Sequence, residues 1–319
     1  MMVRLGLAAL AASMVATPAL AGNSSDTAMT GKPLPAITGD VSLGFGAVSA
    51  NTDIEFDPSG SLSPSQSMGL LRGYGRVNVP LDDRWNFEFE ATGQSEFGSG
   101  AGNSIVGANG HVWAKLPDAA FGAFGGLSTG HSLGMCPFPG CSVSPSGNLQ
   151  SATAGIEGEA YFGNLTVGGQ ASTSWNTLDM SIPVGRSADF QTWQVRGYAQ
   201  YYFTPDDKLT GEVKYNKQGL ELRLLPLAVP YQDSWQFTGR LEHRFAGTPW
   251  SIWASGAYET IADDGLYGVR SISQNRWTAL VGFQLFMDAA GSTLQGHDRQ
   301  IPFHYDNNMD LIWEVEDIP

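Results

Sequence analysis

The chain has 319 residues, 40 of them glycine, a mean hydropathy of −0.13 and a formal net charge of −14. Its length admits one large domain or two small ones. The acidic balance excludes a nucleic-acid binder, because phosphate contacts need clustered Lys and Arg.

The first element is a secretory signal over residues 1–21. Arg4 supplies the positive start, Leu5 to Val15 an apolar run, and Pro18-Ala19-Leu20-Ala21 the small residues of a cleavage site. The run is too short for a spanning helix, which needs about 20 apolar residues. Residues 22–35 read as a periplasmic leader, too short for a passenger domain.

From Ala36 to Asp288 the chain alternates between short turns and longer Gly/Ser/Pro/Asp-rich loops. Five connections are tight: Pro80-Leu81-Asp82-Asp83, Leu116-Pro117-Asp118-Ala119, Phe162-Gly163-Asn164, Thr204-Pro205-Asp206-Asp207 and Ala246-Gly247-Thr248-Pro249. Twelve segments of apolar and polar alternation separate these connections, the signature of half-buried strands. They run near 37–48, 68–79, 84–94, 107–116, 119–129, 151–162, 164–175, 193–203, 209–216, 235–245, 250–260 and 276–285. The segment after Asp189 is typical: Trp193, Val195, Gly197, Ala199, Tyr201 and Phe203 alternate with Gln194, Arg196, Tyr198, Gln200 and Tyr202. Aromatic residues gather at both ends of the segments. Trp85, Phe121, Phe162, Phe203, Phe245, Trp250 and Phe286 stand beside the short turns or the last strand end; Trp175, Trp193, Trp235, Tyr258 and Trp277 stand at the other ends.

Strict alternation of short and long connections, strands of about ten residues and two aromatic rings are what a membrane-crossing barrel requires. On these features the chain resembles a Gram-negative outer-membrane β-barrel of the porin-like kind. The resemblance implies an all-β antiparallel barrel of about 12 strands over residues 36–288, in the bacterial outer membrane. Its periplasmic turns would be short and its extracellular loops long, with an acidic periplasmic tail at 289–319. It implies membrane lipid, lipopolysaccharide and the outer-membrane assembly machinery as partners, and no cofactor. Such barrels commonly end on an aromatic residue read by that machinery. Here Phe286 is the internal candidate, and Leu311-Ile312-Trp313-Glu314-Val315 is the alternative terminal strand.

If the apolar face meets lipid, the polar face lines the lumen. It carries Arg72, Arg76, Lys115, Arg196, Lys214, Arg240, Arg244 and Arg276, and Asp40, Glu88, Glu90, Glu157, Glu159, Glu212, Glu242 and Glu259. Arg72, Arg76, Arg240, Arg244 and Arg276 come from strands near the closing seam, and Glu88, Glu90, Glu157 and Glu159 from the first half. Opposed arcs would set a transverse field across a water path, whereas cross-lumen pairing would make a structural plug.

Cys136 and Cys141, in Cys-Pro-Phe-Pro-Gly-Cys, are expected to pair as a disulfide after export and to stiffen an outer loop. Loop 218–231 is apolar through Leu220, Leu222, Leu224, Leu225, Leu227 and Val229. Of the five histidines, His131 beside Ser132 is the one hint of a hydrolase. No Gly-x-Ser-x-Gly elbow surrounds it, His243 falls on the lipid-facing register near the periplasmic end, and His297 and His304 lie in the tail without a metal-ligand pattern. The expected function is a porin-like channel for passive diffusion of small hydrophilic solutes. The alternatives are a closed structural or adhesive barrel, acting through its outer loops, and a membrane-embedded hydrolase.

Overall fold

The computed structural model describes residues 37–56, 60–63, 65–98, 102–133, 146–180, 186–221, 232–263, 269–287 and 292–302. The signal and leader, Cys136, Cys141, the apolar segment 222–231 and the tail beyond Pro302 lie outside the described residues.

Twelve long antiparallel strands form one closed ring. They are β1 (Thr38–Phe56), β3 (Ser65–Pro80), β4 (Trp85–Phe97), β5 (Gly102–Lys115), β6 (Ala119–Leu133), β7 (Ser146–Phe162), β8 (Leu165–Met180), β9 (Arg186–Thr204), β10 (Asp207–Glu221), β11 (Gln232–Arg244), β12 (Trp250–Asp263) and β13 (Val269–Phe286). A two-residue strand, β2 (Ser61–Leu62), pairs with β1 in the first outer connection. Each long strand pairs with its sequence neighbours, and β13 closes on β1 from Asp40↔Phe286 to Phe56↔Val269. Closure leaves no strand edge, the condition for placing a sheet in lipid. The strand that closes the ring on β1 is β13; Leu311 to Val315 lie outside the described residues.

The sheet is inverted relative to a water-soluble protein. In β4, Trp85, Phe87 and Phe89 are exposed while Asn86, Glu88 and Glu90 between them are buried. The apolar set faces outward and the polar set fills the interior, which the two-residue side-chain period of a strand enforces along the whole element.

The strands are longer than the alternation indicates. β1 and β9 each run 19 residues, whereas about 9–11 tilted residues cross a bilayer. The excess lies on the outer side, where expected loop residues 49–56, 130–133 and 146–150 continue the ladder. Backbone pairing persists there although the apolar pattern has ended. The five short turns fall at 81–84, 116–118, 163–164, 205–206 and 245–249. Gly163 and Gly247 hold positive φ in two of them, a conformation that costs glycine little.

Two placements differ from expectation. Phe286 does not join the outward aromatic ring. It is buried inside the barrel, edge-on to His297 with ring centroids 4.6 Å apart, and the Arg244 guanidinium lies 4.4 Å from its centroid. Position 286 falls on the inward parity of β13, one residue beyond outward-facing Phe283 and Leu285 in the alternation. Lys115, on the inward parity of His111 and Trp113, is exposed at the periplasmic end of β5, where the strand ends.

Candidate functional site

The interior divides into two unlike halves. On the β4–β8 side it is packed around acids. Glu88 and Glu90 from β4 and Glu157 and Glu159 from β7 are all buried. His111 of β5 joins two of them: Nδ1 lies 2.8 Å from Glu157 Oε1 and Nε2 lies 3.2 Å from Glu90 Oε2. Its ring stacks on Phe124 at 5.3 Å. Gln170 donates to Glu157 at 2.9 Å, and the Tyr198 hydroxyl donates to Glu159. Both carboxylate oxygens of Glu88 lack a hydrogen-bond partner among the described residues.

The other half, from β9 round to β3, carries the bases. Arg76 pairs with Asp40 at 2.6 Å. Arg196 pairs with Glu212 at 2.6 Å and donates to Gln170 at 3.1 Å. Arg276 pairs with Glu96 of β4, and the Arg72 Nε donates to Gln94 at 2.8 Å. Arg244 donates to the Thr248 carbonyl at 3.3 Å. Arg240 donates through Nη2 to Glu242 at 3.1 Å and to Gln284 at 3.0 Å. Its guanidinium lies 4.3 Å from the centroid of the Trp253 ring. The ion pairs among these bonds run to Asp40, Glu96, Glu212 and Glu242.

Trp253 shapes this half. Its indole N–H donates to the Ser42 hydroxyl at 3.0 Å, and a Cβ at either Gly44 or Gly282 would overlap its ring. Glycine on the two strands of the seam therefore admits an aromatic platform inside the barrel. Beside it lies a cavity of about 150 Å³. Arg72, Arg196, Lys208, Arg240 and Arg276 line it, with Glu212.

The periplasmic end of the barrel is occupied by a segment that follows β13 in the chain. A short helix, α1 (Leu294–Asp298), sits in the periplasmic mouth. Thr293 caps it, accepting from the Gly296 N–H at 3.1 Å. Leu294 is buried with Tyr202 and Phe286. Asp298 Oδ2 accepts from Lys208 and from the Tyr202 hydroxyl, each at 2.7 Å. His297 Nε2 lies 2.9 Å from Asp40 Oδ2. At the other wall, Gln295 donates to the Gly163 carbonyl at 2.9 Å, Arg299 donates to the same oxygen, and the Arg299 guanidinium covers Tyr161. Gly163 lies in the β7–β8 turn, and β8 stands six strands from β1 in either direction round the ring. The segment thus spans the mouth from wall to wall.

Outside, Trp85, Phe162 and Phe203 are exposed near the short turns, and Trp193, Trp235 and Trp277 near the opposite ends. Trp235 packs on Tyr215 of the next strand and Trp277 on Tyr258, with centroids 4.8 and 4.5 Å apart. His131, in the outer part of β6, has Nδ1 2.9 Å from Asn148 Oδ1. No hydroxyl bonds to its other nitrogen among the described residues, and the Ser132 side chain lies outside them.

A closed antiparallel ring with polar contents, an apolar outer belt and aromatic residues at both rims is a bacterial outer-membrane β-barrel, and the outer membrane is its location. No protein-family model matches the chain, and no curated protein matches it. Among solved structures it is similar to a Pseudomonas aeruginosa FadL homologue, at 9% identity and TM-score 0.46 over 78% of this chain and 90% of that one. It is also similar to the translocator domain of the autotransporter NalP from Neisseria meningitidis, at 8% identity and TM-score 0.49 over 77% and 88% of the two chains. An outer membrane channel from Pseudomonas putida F1 shares 11% identity at TM-score 0.46 over 83% and 99%.

Several interior residues carry no signal strong enough to find them in the sequence. Lys208 and Glu96 extend the inward parity of β10 and β4 past the ends of the clean alternation. His111 is a lone histidine until the ring closes, and Trp253 has the wrong polarity for its face. His297 and Asp298 belong to a segment without strand periodicity.

Proposed function

We propose that the protein is an outer-membrane channel for small hydrophilic solutes, with its periplasmic mouth held shut by the α1 segment. The cavity beside Arg240 carries this reading. It is lined by charged and polar side chains within the barrel, and the α1 segment in the periplasmic mouth is held to the wall outside the strand ladder. A permanently filled barrel has no need of open space lined by charged side chains. The opposed basic and acidic halves would set the ion preference of the path. Lipid, lipopolysaccharide and the outer-membrane assembly machinery are the partners this location requires, with Phe286 as a candidate internal assembly signal. The reading assigns no catalysis to the chain.

The α1 segment itself favours a second reading, a closed barrel that acts through its outer face. Planar-bilayer conductance separates the two. Refolded full-length protein is expected to give infrequent discrete steps, and Asp298→Ala, which frees the segment from Lys208 and Tyr202, is expected to raise their frequency at least tenfold. Silence from both proteins, each demonstrably folded by its gel mobility, would establish the closed barrel.

A further inference from the structure

The cavity wall has a charge character that the channel reading does not require. Arg72, Arg196, Lys208, Arg240 and Arg276 face it, and Glu212 is the one carboxylate among its described lining residues. Three of the acids that pair with these bases, Glu242, Glu96 and Asp298, do not line the space. Five basic side chains thus face the space against one carboxylate among its described lining residues.

Arg240 is the clearest case. Its side chain keeps 22% of its exposure inside the barrel, while its partner Glu242 keeps 1%. Only Nη2 is engaged; Nε and Nη1 bond to no described residue. The plane of the guanidinium is fixed from below by the Trp253 ring and from the side by Gln284, whose Oε1 accepts from both Arg240 and the Tyr74 hydroxyl at 3.0 Å. Such a group is oriented before anything binds, so little rotamer entropy remains to be lost. Arginine donors in a confined space match the oxygens of a carboxylate or phosphate.

We infer that this cavity is a binding site for a small organic or inorganic anion bearing a carboxylate or phosphate group, with Arg240 as its principal contact. The inference deepens the channel reading by naming the solute class, and it rests on that reading for the route of entry. The volume suits one small molecule and not an oligomer.

The test is calorimetric titration of the full-length protein, folded in an uncharged, phosphate-free detergent at low salt. The probes are inorganic phosphate, succinate and uncharged erythritol. Saturable binding of phosphate or succinate is expected, with none of erythritol. Which anion binds the tighter identifies the head group. Arg240→Gln should weaken that binding at least tenfold, and Arg240→Lys should recover part of it. Absence of anion binding, binding of erythritol equal to that of the anions, or undiminished affinity in a folded Arg240→Gln protein overturns the inference. Because the wild-type comparison of charged and neutral probes stands alone, a variant that fails to fold leaves the test intact. Binding without conductance would retain the site and remove the channel; conductance without binding would do the reverse.

Discussion

His297 and Asp40 are 257 positions apart in the chain and 2.9 Å apart in the molecule. Asp40 lies directly opposite Phe286 in the β1–β13 register, and the same His297 ring packs edge-on against Phe286. One side chain from beyond the barrel therefore touches both strands of the seam.

The hold of the α1 segment concentrates at Asp298. Replacing it by alanine leaves Lys208 buried with Glu242, 3.4 Å away, as its one counter-charge among the described residues. Removing one member of a buried ion pair costs about 3–5 kcal/mol. Because the segment follows β13 and is no part of the strand ring, that cost falls on its docking. Asp298→Ala is expected to expose Arg299 to trypsin while the barrel stays resistant, and equal cleavage rates in the two proteins would contradict this anchoring. Thr293→Ala, which removes the helix cap, should act in the same direction with about 1 kcal/mol.

His111 ties β4 to β7 across the acidic half. His111→Leu keeps the bulk beside Phe124 and removes both bonds, leaving Glu90 and Glu157 without their shared partner. A destabilisation of about 3 kcal/mol or more is expected. Urea unfolding in detergent, followed by tryptophan fluorescence, measures it. An unchanged midpoint would show that the bridge contributes nothing to the barrel.

Glu88 presents the opposite case. It is fully buried and neither oxygen has a hydrogen-bond partner among the described residues. An unsatisfied buried acceptor costs about 1–3 kcal/mol, more when charged. Glu88→Leu is expected to raise the urea midpoint, which few substitutions of a charged residue do. A lowered midpoint would mean that the carboxylate is stabilised where it stands.

Asp82 governs the first short turn. Its Oδ1 accepts from the backbone N–H groups of Trp85 and Arg84, both at 2.7 Å, and these bonds hold its carboxyl below the usual range. A group lowered on folding stabilises fully above its unfolded pKa of about 3.9, and that contribution is lost as pH falls through the lower folded value. The stability advantage of the wild type over Asp82→Asn is therefore expected to be constant above about pH 5 and to shrink below about pH 4. The difference in urea midpoint, followed from pH 7 to pH 3, checks the sign; an advantage that grows on acidification would reverse it.

Much of the architecture is legible in the sequence because two constraints act on every residue of a spanning strand. The lipid demands an apolar side chain at each second position, and the interior demands a polar one between. Arg196, Glu88, Glu157 and Arg276 can be assigned to the inner face by parity alone. Where either demand lapses, legibility lapses too. The outer reaches of β1, β7 and β9 are strands without alternation, because water meets both faces there. Trp253 breaks the polarity rule because Gly44 and Gly282 make room for it, a dependence between three strands that no local pattern reports. The division into an acidic packed half and a basic hollow half arises from the ring order, which brings β9–β13 round to β1 and β3. His297 and Asp298 find their places by fitting a surface that twelve strands build together.

That last fit fixes an order of events. The pocket for His297 has one wall on the first strand of the ring and the other on the last, so it does not exist until the two have joined. The residues that occupy it are made after every strand and can bind only when the ring is complete. A seated α1 segment is thus a record of finished assembly, and the moment at which the tail becomes resistant to protease marks the moment at which the barrel has closed.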